Sequence, residues 1–294
     1  MQSFGKNILR KWRWKLEGYH RSVLLGEVVE ALNVRDAWYI DCTIGDGGHS
    51  IEIIRRGGKV VGIDVDPQAL KRVRQRFDEA GVDKRKYILV QGNFRDLKKL
   101  IQTGTKFAGV LFDLGVSSLQ LETPERGFSF GKEGPLDMRM DPALGVRALD
   151  LINAGGRKEL YELFSRLGEE KYSRALADAV VRARQVRPLT TTMELAGLVA
   201  RVAGIRGKLH PATRVFQALR IAVNDELAAL EEALPQALEV LDKNGRIVVV
   251  SFHSLEDRIV KHFFKSKELI IPSKEEIKDH PRSRSAKMRV FEKT

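Results

Sequence analysis

The run Val110-Leu111-Phe112-Asp113-Leu114-Gly115 constrains this chain more than any other. An unbroken stretch of large apolar residues reads as a strand buried on both faces, as in a parallel sheet covered by helices. The run stops on a carboxylate and then turns at a glycine. In open α/β folds a strand delivers a polar side chain in this way to the carboxyl edge of the sheet, where ligands bind. Two runs upstream end alike. Trp38-Tyr39-Ile40-Asp41-Cys42 precedes Gly45-Asp46-Gly47-Gly48, and Lys59 to Ile63 stops at Asp64. Three such ends describe a site for a nucleotide-like cofactor with a reacting centre beside it.

Around these runs strand and helix patterns alternate. Helical spacing covers Val23 to Leu32, Ile51 to Arg55 and Gln68 to Phe77, with Pro67 suited to a first helical turn. Further strands are expected at Tyr87 to Val90, Phe107 to Phe112 and Arg246 to Val250. The alternation predicts a doubly wound parallel sheet. From Glu122 to Leu209 no strong strand signal occurs. An irregular segment, Thr123 to Gly145, leads into helical runs near Arg157–Leu167, Lys171–Gln185 and Thr191–Val202, read as an inserted helical subdomain. The expected organisation is a basic tail (1–19), a first sheet part (20–121), the insertion (122–210) and a second sheet part (211–294). Phe216, Leu219, Val223, Leu227, Leu230, Leu234, Leu238 and Leu241 form one apolar stripe of a long helix that Pro235 should kink or split. Leu255 to Phe264 reads as helix, and the end of the chain as a last strand.

Composition narrows the partners. The net charge of +12 over 294 residues suggests a polyanion, and the 7% aromatic content argues against a base-stacking platform. Cys42 is the only cysteine, so no internal disulfide forms and a reducing compartment is expected. The six histidines lack ligand spacing, and no metal site is expected. No apolar segment approaches a membrane span. Lys6 to Lys15 carries five basic residues around Trp12 and Trp14, reading as a short basic tail rather than a secretory signal or transit peptide.

The glycines after the first strand let backbone approach a ligand and leave helix N–H groups free. The order G-D-G-G-H lacks the third glycine of the dinucleotide fingerprint. Asp64 is placed to accept ribose hydroxyls, since Asp66 can cap the next helix. Asn93-Phe94 follows the third strand, where it could flank an adenine, and Gln120 could order the loop beyond Asp113. Glu125 to Phe130 and Asp137 to Asp141 form a loop long enough to be functional or disordered. His210 to Arg214 closes the insertion, and Arg139, Arg206, Lys208, His210, Arg214, Arg282 and Arg284 make up a candidate phosphate-tracking surface.

Several of these stretches together are distinctive: Asp41-Cys42-Thr43-Ile44-Gly45-Asp46-Gly47-Gly48-His49-Ser50, Asp113-Leu114-Gly115-Val116-Ser117-Ser118, Arg126-Gly127-Phe128-Ser129-Phe130, Gly134 to Asp141, and Ser251-Phe252-His253-Ser254-Leu255-Glu256-Asp257-Arg258. From about His20 onward the chain resembles the ribosomal RNA small subunit methyltransferase H (MraW) family. The resemblance implies a class I, Rossmann-like methyltransferase sheet with a helical insertion, S-adenosylmethionine as cofactor, and methylation of N4 of a cytidine in the decoding region of small-subunit rRNA. It implies cofactor contacts at Gly47, Gly48, His49, Asp64, Phe94, Asp113 and Gln120. Leu119 stands where the family usually has proline, and His280 where it has asparagine.

As hydrogen-bond acceptor for the cytosine amine, Asp113 is the candidate by position, with Asp137, Asp141, Ser251 and His253 in reserve. The expected partner is rRNA or the assembled small subunit, with no membrane, in a bacterial-type cytoplasm or, as the alternative, an organelle. A homodimer is left open. Two rival readings remain: an NAD-dependent oxidoreductase, opposed by the imperfect glycine fingerprint and the charge, and a non-catalytic rRNA-binding assembly factor, opposed by the intact acidic strand ends.

Overall fold

The computed structural model describes residues 19, 22–101, 104–204, 210–265 and 268–294. Arg206, Lys208 and the basic tail through residue 18 lie outside the described residues. Two compact units are present. One combines residues up to Gly115 with Leu230–Thr294, and the other is Val116–Ala229.

The first unit is built on a six-stranded sheet: β1 (Trp38–Asp41), β2 (Lys59–Asp64), β3 (Tyr87–Gln91), β4 (Phe107–Asp113), β5 (Leu241–Ser251) and β6 (Lys287–Glu292). The strand order is β3-β2-β1-β4-β5-β6. The first five strands run parallel and β6 pairs antiparallel with β5. The expected α/β sheet is therefore present. Asn244 (φ 59°) and Gly245 lie where the β4–β5 register shifts. The regular pairing resumes at Arg246, where the sequence put the strand start.

Helices cover both faces, since each strand alternates its side chains between them. On one face Tyr39, Val60, Leu111 and Val248 pack with α1 (Leu25–Ala31) and α2 (Gly48–Arg55). α3 (Pro67–Glu79) closes that side through Val73 and Phe77, which meet Ile44 and Ile51. On the other face Ile40, Ile63, Val110, Phe112 and Val249 pack with α4 (Leu97–Ile101), α11 (Glu226–Val240) and α12 (Ser254–Phe264). A short helix, α13 (Lys274–Asp279), precedes the last strand.

The second unit is helical: α5 (Ser118–Glu122), α6 (Ala148–Ala154), α7 (Arg157–Arg166), α8 (Ser173–Val186), α9 (Thr192–Ala203) and α10 (Ala212–Asn224). Its own core includes Phe164, Leu176, Val180, Leu195, Phe216 and Leu219. The single long helix expected from the apolar stripe is two helices, and Pro235 does not divide them. The break falls at Asp225, left-handed at φ 50°. Pro235 stays inside α11 because it lies on the exposed face, where water can serve the carbonyl that its missing N–H leaves unpaired. The stripe serves two cores. Phe216, Leu219 and Val223 belong to the helical unit, whereas Leu230 and Leu234 cover the sheet. Among the described residues no helix is long and apolar enough to cross a membrane.

Candidate active site

β1 is the shortest strand, four residues long. Asp41 at its end pairs with Gly62 on one side and Leu111 on the other. Both neighbours continue two residues further, to Asp64 and Asp113, which leaves a notch about 6.6 Å deep above Asp41. The glycine turn fills it. The Cys42 N–H donates to the Leu111 carbonyl (2.9 Å) and the Ile44 N–H to that of Ile63 (3.0 Å). Strand pairing and the two-residue period put Asp41, Asp64 and Asp113 on the same face of the sheet, the face of Tyr39 and Leu111.

Side chains pin the turn to both neighbours. Asp64 accepts the Gly45 N–H (3.0 Å) on one oxygen and the Asp66 N–H (2.9 Å) on the other. Asp66 caps α3, as expected, by accepting the Gln68 N–H (3.0 Å). Asp64 is thus less free for a ligand than the sequence suggested, though a carboxylate oxygen retains a second acceptor position. The Asp113 N–H donates to Thr43 Oγ1 (2.7 Å). Arg76 donates to the Asp46 carbonyl (2.7 Å), and Arg72 pairs with the Asp46 carboxylate (2.8 Å).

The glycines have a packing cause. Gly47 is left-handed (φ 72°), and a Cβ there would lie 2.3 Å from Val73 Cγ2. A Cβ on Gly48 would lie 2.2 Å from Ser22 Oγ. No side chain caps α2, so the N–H groups of its first turn, Gly48 and His49 among them, face the turn without a capping acceptor.

Protonation at this edge is unusual. Asp41 is buried, accepts the Ser50 hydroxyl (2.7 Å) and the Thr43 N–H (3.3 Å), and is pushed up to about 6 by burial. Burial also raises Asp64 to about 6, against the pull of its two backbone donors. Asp113 is raised well above the ordinary carboxylate range, first by desolvation and then by the charges of Asp41 and Glu256. Its Oδ1 is buried and has no hydrogen-bond partner, while its Oδ2 lies 3.5 Å from His49 Nδ1. His49 Nε2 is 3.1 Å from the Val23 carbonyl, which can only accept, so the ring hydrogen sits on Nε2 and leaves Nδ1 bare. Burial lowers His49 to about 4, keeping the ring neutral. A bare nitrogen facing an ionised oxygen is unfavourable, which raises the proton affinity of Asp113 further. The His49 ring is thus engaged inside the protein.

Ser50, Thr43 and Glu256 are participants that the sequence did not single out, and Asp41 stood there only as a strand end with no role assigned. Asp41 carried the available signal, an apolar strand ending in aspartate as at positions 64 and 113. Buried Glu256 accepts the N–H groups of Phe252 (2.8 Å) and His253 (3.3 Å), a capping-box pattern. His253 is the N-cap of α12 in that box, and Ser251 Oγ donates to the Lys287 carbonyl (3.2 Å). Both therefore have structural work at the end of β5. Phe94 packs edge-on against Phe112 (centroids 5.6 Å apart), in the cluster on the face opposite the three aspartates.

The remaining predicted residues belong to the second unit or to the C-terminal segment. Gln120 is buried in a capping box with Ser117, which orders the loop start. Asp137 is closed in a two-pronged pair with Arg139 (2.8 Å on each prong), whose guanidinium also donates to the carbonyls of Pro142 (3.0 Å) and Leu144 (2.7 Å). Asp141 accepts the Ala143 N–H (2.8 Å). The long loop is thus folded on itself. His210 stacks on Phe130 (4.9 Å), and Arg214 donates to the Glu169 carbonyl (2.9 Å). Arg282 and Arg284 are exposed on the 3₁₀ turn Pro281–Ser285.

A buried acceptor without a partner, beside an uncapped helix start and a pinned glycine turn, suits a small cofactor presenting donors and a polar tail. Residues 17–294 match the MraW methylase family. The ribosomal RNA small subunit methyltransferase H of Carboxydothermus hydrogenoformans is 44% identical, covering 95% of this chain and 99% of that protein. The protein of the same name from Coprothermobacter proteolyticus is 44% identical over 93% of this chain and 96% of its own length. Among solved structures, an rRNA methylase from Streptococcus thermophilus aligns with a TM-score of 0.44 at 12% identity, covering 92% of this chain and 93% of that one.

Proposed function

The chain belongs to the MraW methylase family, and we propose that it transfers a methyl group from S-adenosylmethionine to the exocyclic N4 of a cytidine in the decoding region of small-subunit rRNA. The observation that carries this reading is the unpartnered Oδ1 of Asp113 at the carboxyl edge of β4. The cofactor would be held by the backbone of Gly47, Gly48 and His49 and by Asp64, with Phe94 and Asp113 at the neighbouring strand ends. When bound, it supplies a methyl group on a sulfonium sulfur, electrophilic and with its leaving group attached.

This chain's residues must make a poor nucleophile react. The N4 lone pair of cytosine is delocalised into the ring. An acceptor on one N4 hydrogen favours pyramidalisation and returns density to the nitrogen. Asp113 Oδ1 is that acceptor. Asp113 takes this role in its ionised form: as the N–C bond forms, N4 becomes cationic, and the proton it sheds passes to that carboxylate. Burial and the neighbouring charges of Asp41 and Glu256 make this carboxylate a stronger base than an exposed one. Alignment supplies much of the rate, since effective molarity is worth about 7–11 kcal/mol. The base must leave its stack, at a cost of about a few kcal/mol, and the basic side chains of this +12 chain would hold the flanking phosphates.

The test uses small subunits and free rRNA from cells lacking this activity, incubated with protein and cofactor, with nucleoside mass spectrometry of the product. N4-methylcytidine in one rRNA position is expected. Tight rRNA binding with no methylated nucleoside would instead establish an assembly factor. Comparing the two substrates identifies which is methylated.

A further inference from the structure

A cavity of about 340 Å³ lies in the first unit beyond the end of β5, lined among others by Phe252, Ile271, Pro272, Ile277, Arg284 and Lys287. That volume is at the small end of the roughly 300–1,000 Å³ typical of ligand sites. Its chemistry is divided. Phe252, Ile271, Pro272 and Ile277 give an apolar wall, and Ile271 is 63% exposed. Arg284 is exposed and makes no ion pair among the described residues. Lys287 holds Asp257 (3.0 Å) with 40% of its side chain still exposed. Among the described residues no carboxylate lines the cavity.

Its position follows from the sheet. Val250 pairs with Asp113, so it lies on the same face, and Phe252 is the next residue of that phase. Phe252 packs against the cluster of Val248, Val250 and Met288 on that face. Phe252, one wall of the cavity, therefore lies one strand spacing (about 4.8 Å) across and two residues (about 6.6 Å) beyond Asp113.

We infer that this cavity seats the nucleotide adjoining the target base in single-stranded rRNA, its base against Phe252 and Ile271 and its phosphate at Arg284. The inference rests on the methyltransferase reading for the identity of the target. It follows from the wall itself: a nucleobase offers a flat apolar face, a phosphate demands a cation, and the absence of a lining carboxylate spares both from repulsion. An otherwise solvent-exposed isoleucine then gains a partner.

The experiment measures affinity for a fluorescein-labelled single-stranded oligoribonucleotide containing one cytidine, by anisotropy over a salt series, with the full-length protein. Arg284→Ala should weaken binding about five- to tenfold and make the slope of log affinity against log salt shallower by about one. Ile271→Asp should weaken it by a similar factor. Cofactor binding by calorimetry should stay unchanged in both variants, which also shows that they fold. In the same oligonucleotide, 5-iodouridine beside the cytidine should crosslink to the peptides carrying Phe252 or Ile271. Unchanged affinity and salt slope in both variants overturn the inference even when the wild-type protein methylates cytidine. Weakened binding in a protein that transfers no methyl group upholds the subsite and refutes the enzymatic reading.

Discussion

The carboxyl edge of the sheet and the helical unit treat their carboxylates in opposite ways. Asp41, Asp64 and Asp113 are all raised, principally by burial, and no lysine or arginine among the described residues pairs with them. In the helical unit Asp137 is lowered: burial pushes it up, but the Arg139 hydrogen bonds outweigh that. Asp150 is lowered by its hydrogen bond to Arg147, Asp178 by Arg157, and Glu194 first by the Thr190 N–H. The helical unit uses acids to fold. The sheet edge holds acids in a state that folding alone would not choose.

The largest expected break in this comparison is at Asp113. Asp113→Ala should abolish methyl transfer, and Asp113→Asn, which keeps the shape without the basicity, should lower kcat by about 10²–10⁴-fold. Cofactor binding measured by calorimetry separates loss of chemistry from loss of the site. Asp137→Asn should leave kcat within about tenfold, because that carboxylate serves the loop through Arg139. Near wild-type turnover in Asp113→Asn would remove the acceptor role.

Next comes the backbone. Gly47→Ala combines a left-handed φ of 72° with a Cβ 2.3 Å from Val73, so it should cost about 3–5 kcal/mol in thermal unfolding. Gly131→Ala in the helical unit meets only Ser129 Oγ at 3.6 Å and should stay within about 0.5 kcal/mol. Equal losses at the two sites would mean that the glycine turn is not the rigid element described above.

How much of this was legible follows the same division. The strand ends at positions 64 and 113 stood out because an apolar run stopping on aspartate is a local pattern, and the sheet fixes its consequence. Asp41 has the same pattern, but its importance comes from being two residues short of both neighbours, which only the register reveals. The break at Asp225 was hidden because Pro235 is the stronger local signal, while the exchange of one core for another is not local at all. Arg139 and Asp137 read as free charges, since two residues of chain do not disclose that the side chains close on each other. His49 looked like a ligand contact, and only the Val23 carbonyl, 26 positions away, fixes its tautomer and turns its bare nitrogen toward Asp113.

The smallest effect has the most informative sign. A carboxyl whose folded pKa is raised keeps a proton that the unfolded chain has already lost, so its contribution to stability falls as pH rises through that window. For Asp41, between about 4 and about 6, the cost of ionising the buried group reaches roughly 2–3 kcal/mol. Asp41→Asn, which loses a hydrogen-bond acceptor at every pH, should therefore look worst near pH 4 and recover relative to wild type by about that amount near pH 7. His49 moves the other way, since its depressed pKa stabilises the fold above pH 6.5 and the benefit is lost toward 4. It is present in both proteins and cancels from the difference. Asp137→Asn should show the reverse slope, mild below pH 4 and harsher above it by about 1 kcal/mol, because a lowered carboxyl contributes only once it is ionised. Urea denaturation of the two variants from pH 2 to 7 reads both slopes. If they share a sign, the carboxyl edge is held by ordinary ion pairing after all, and Asp113 loses the environment that makes it a base.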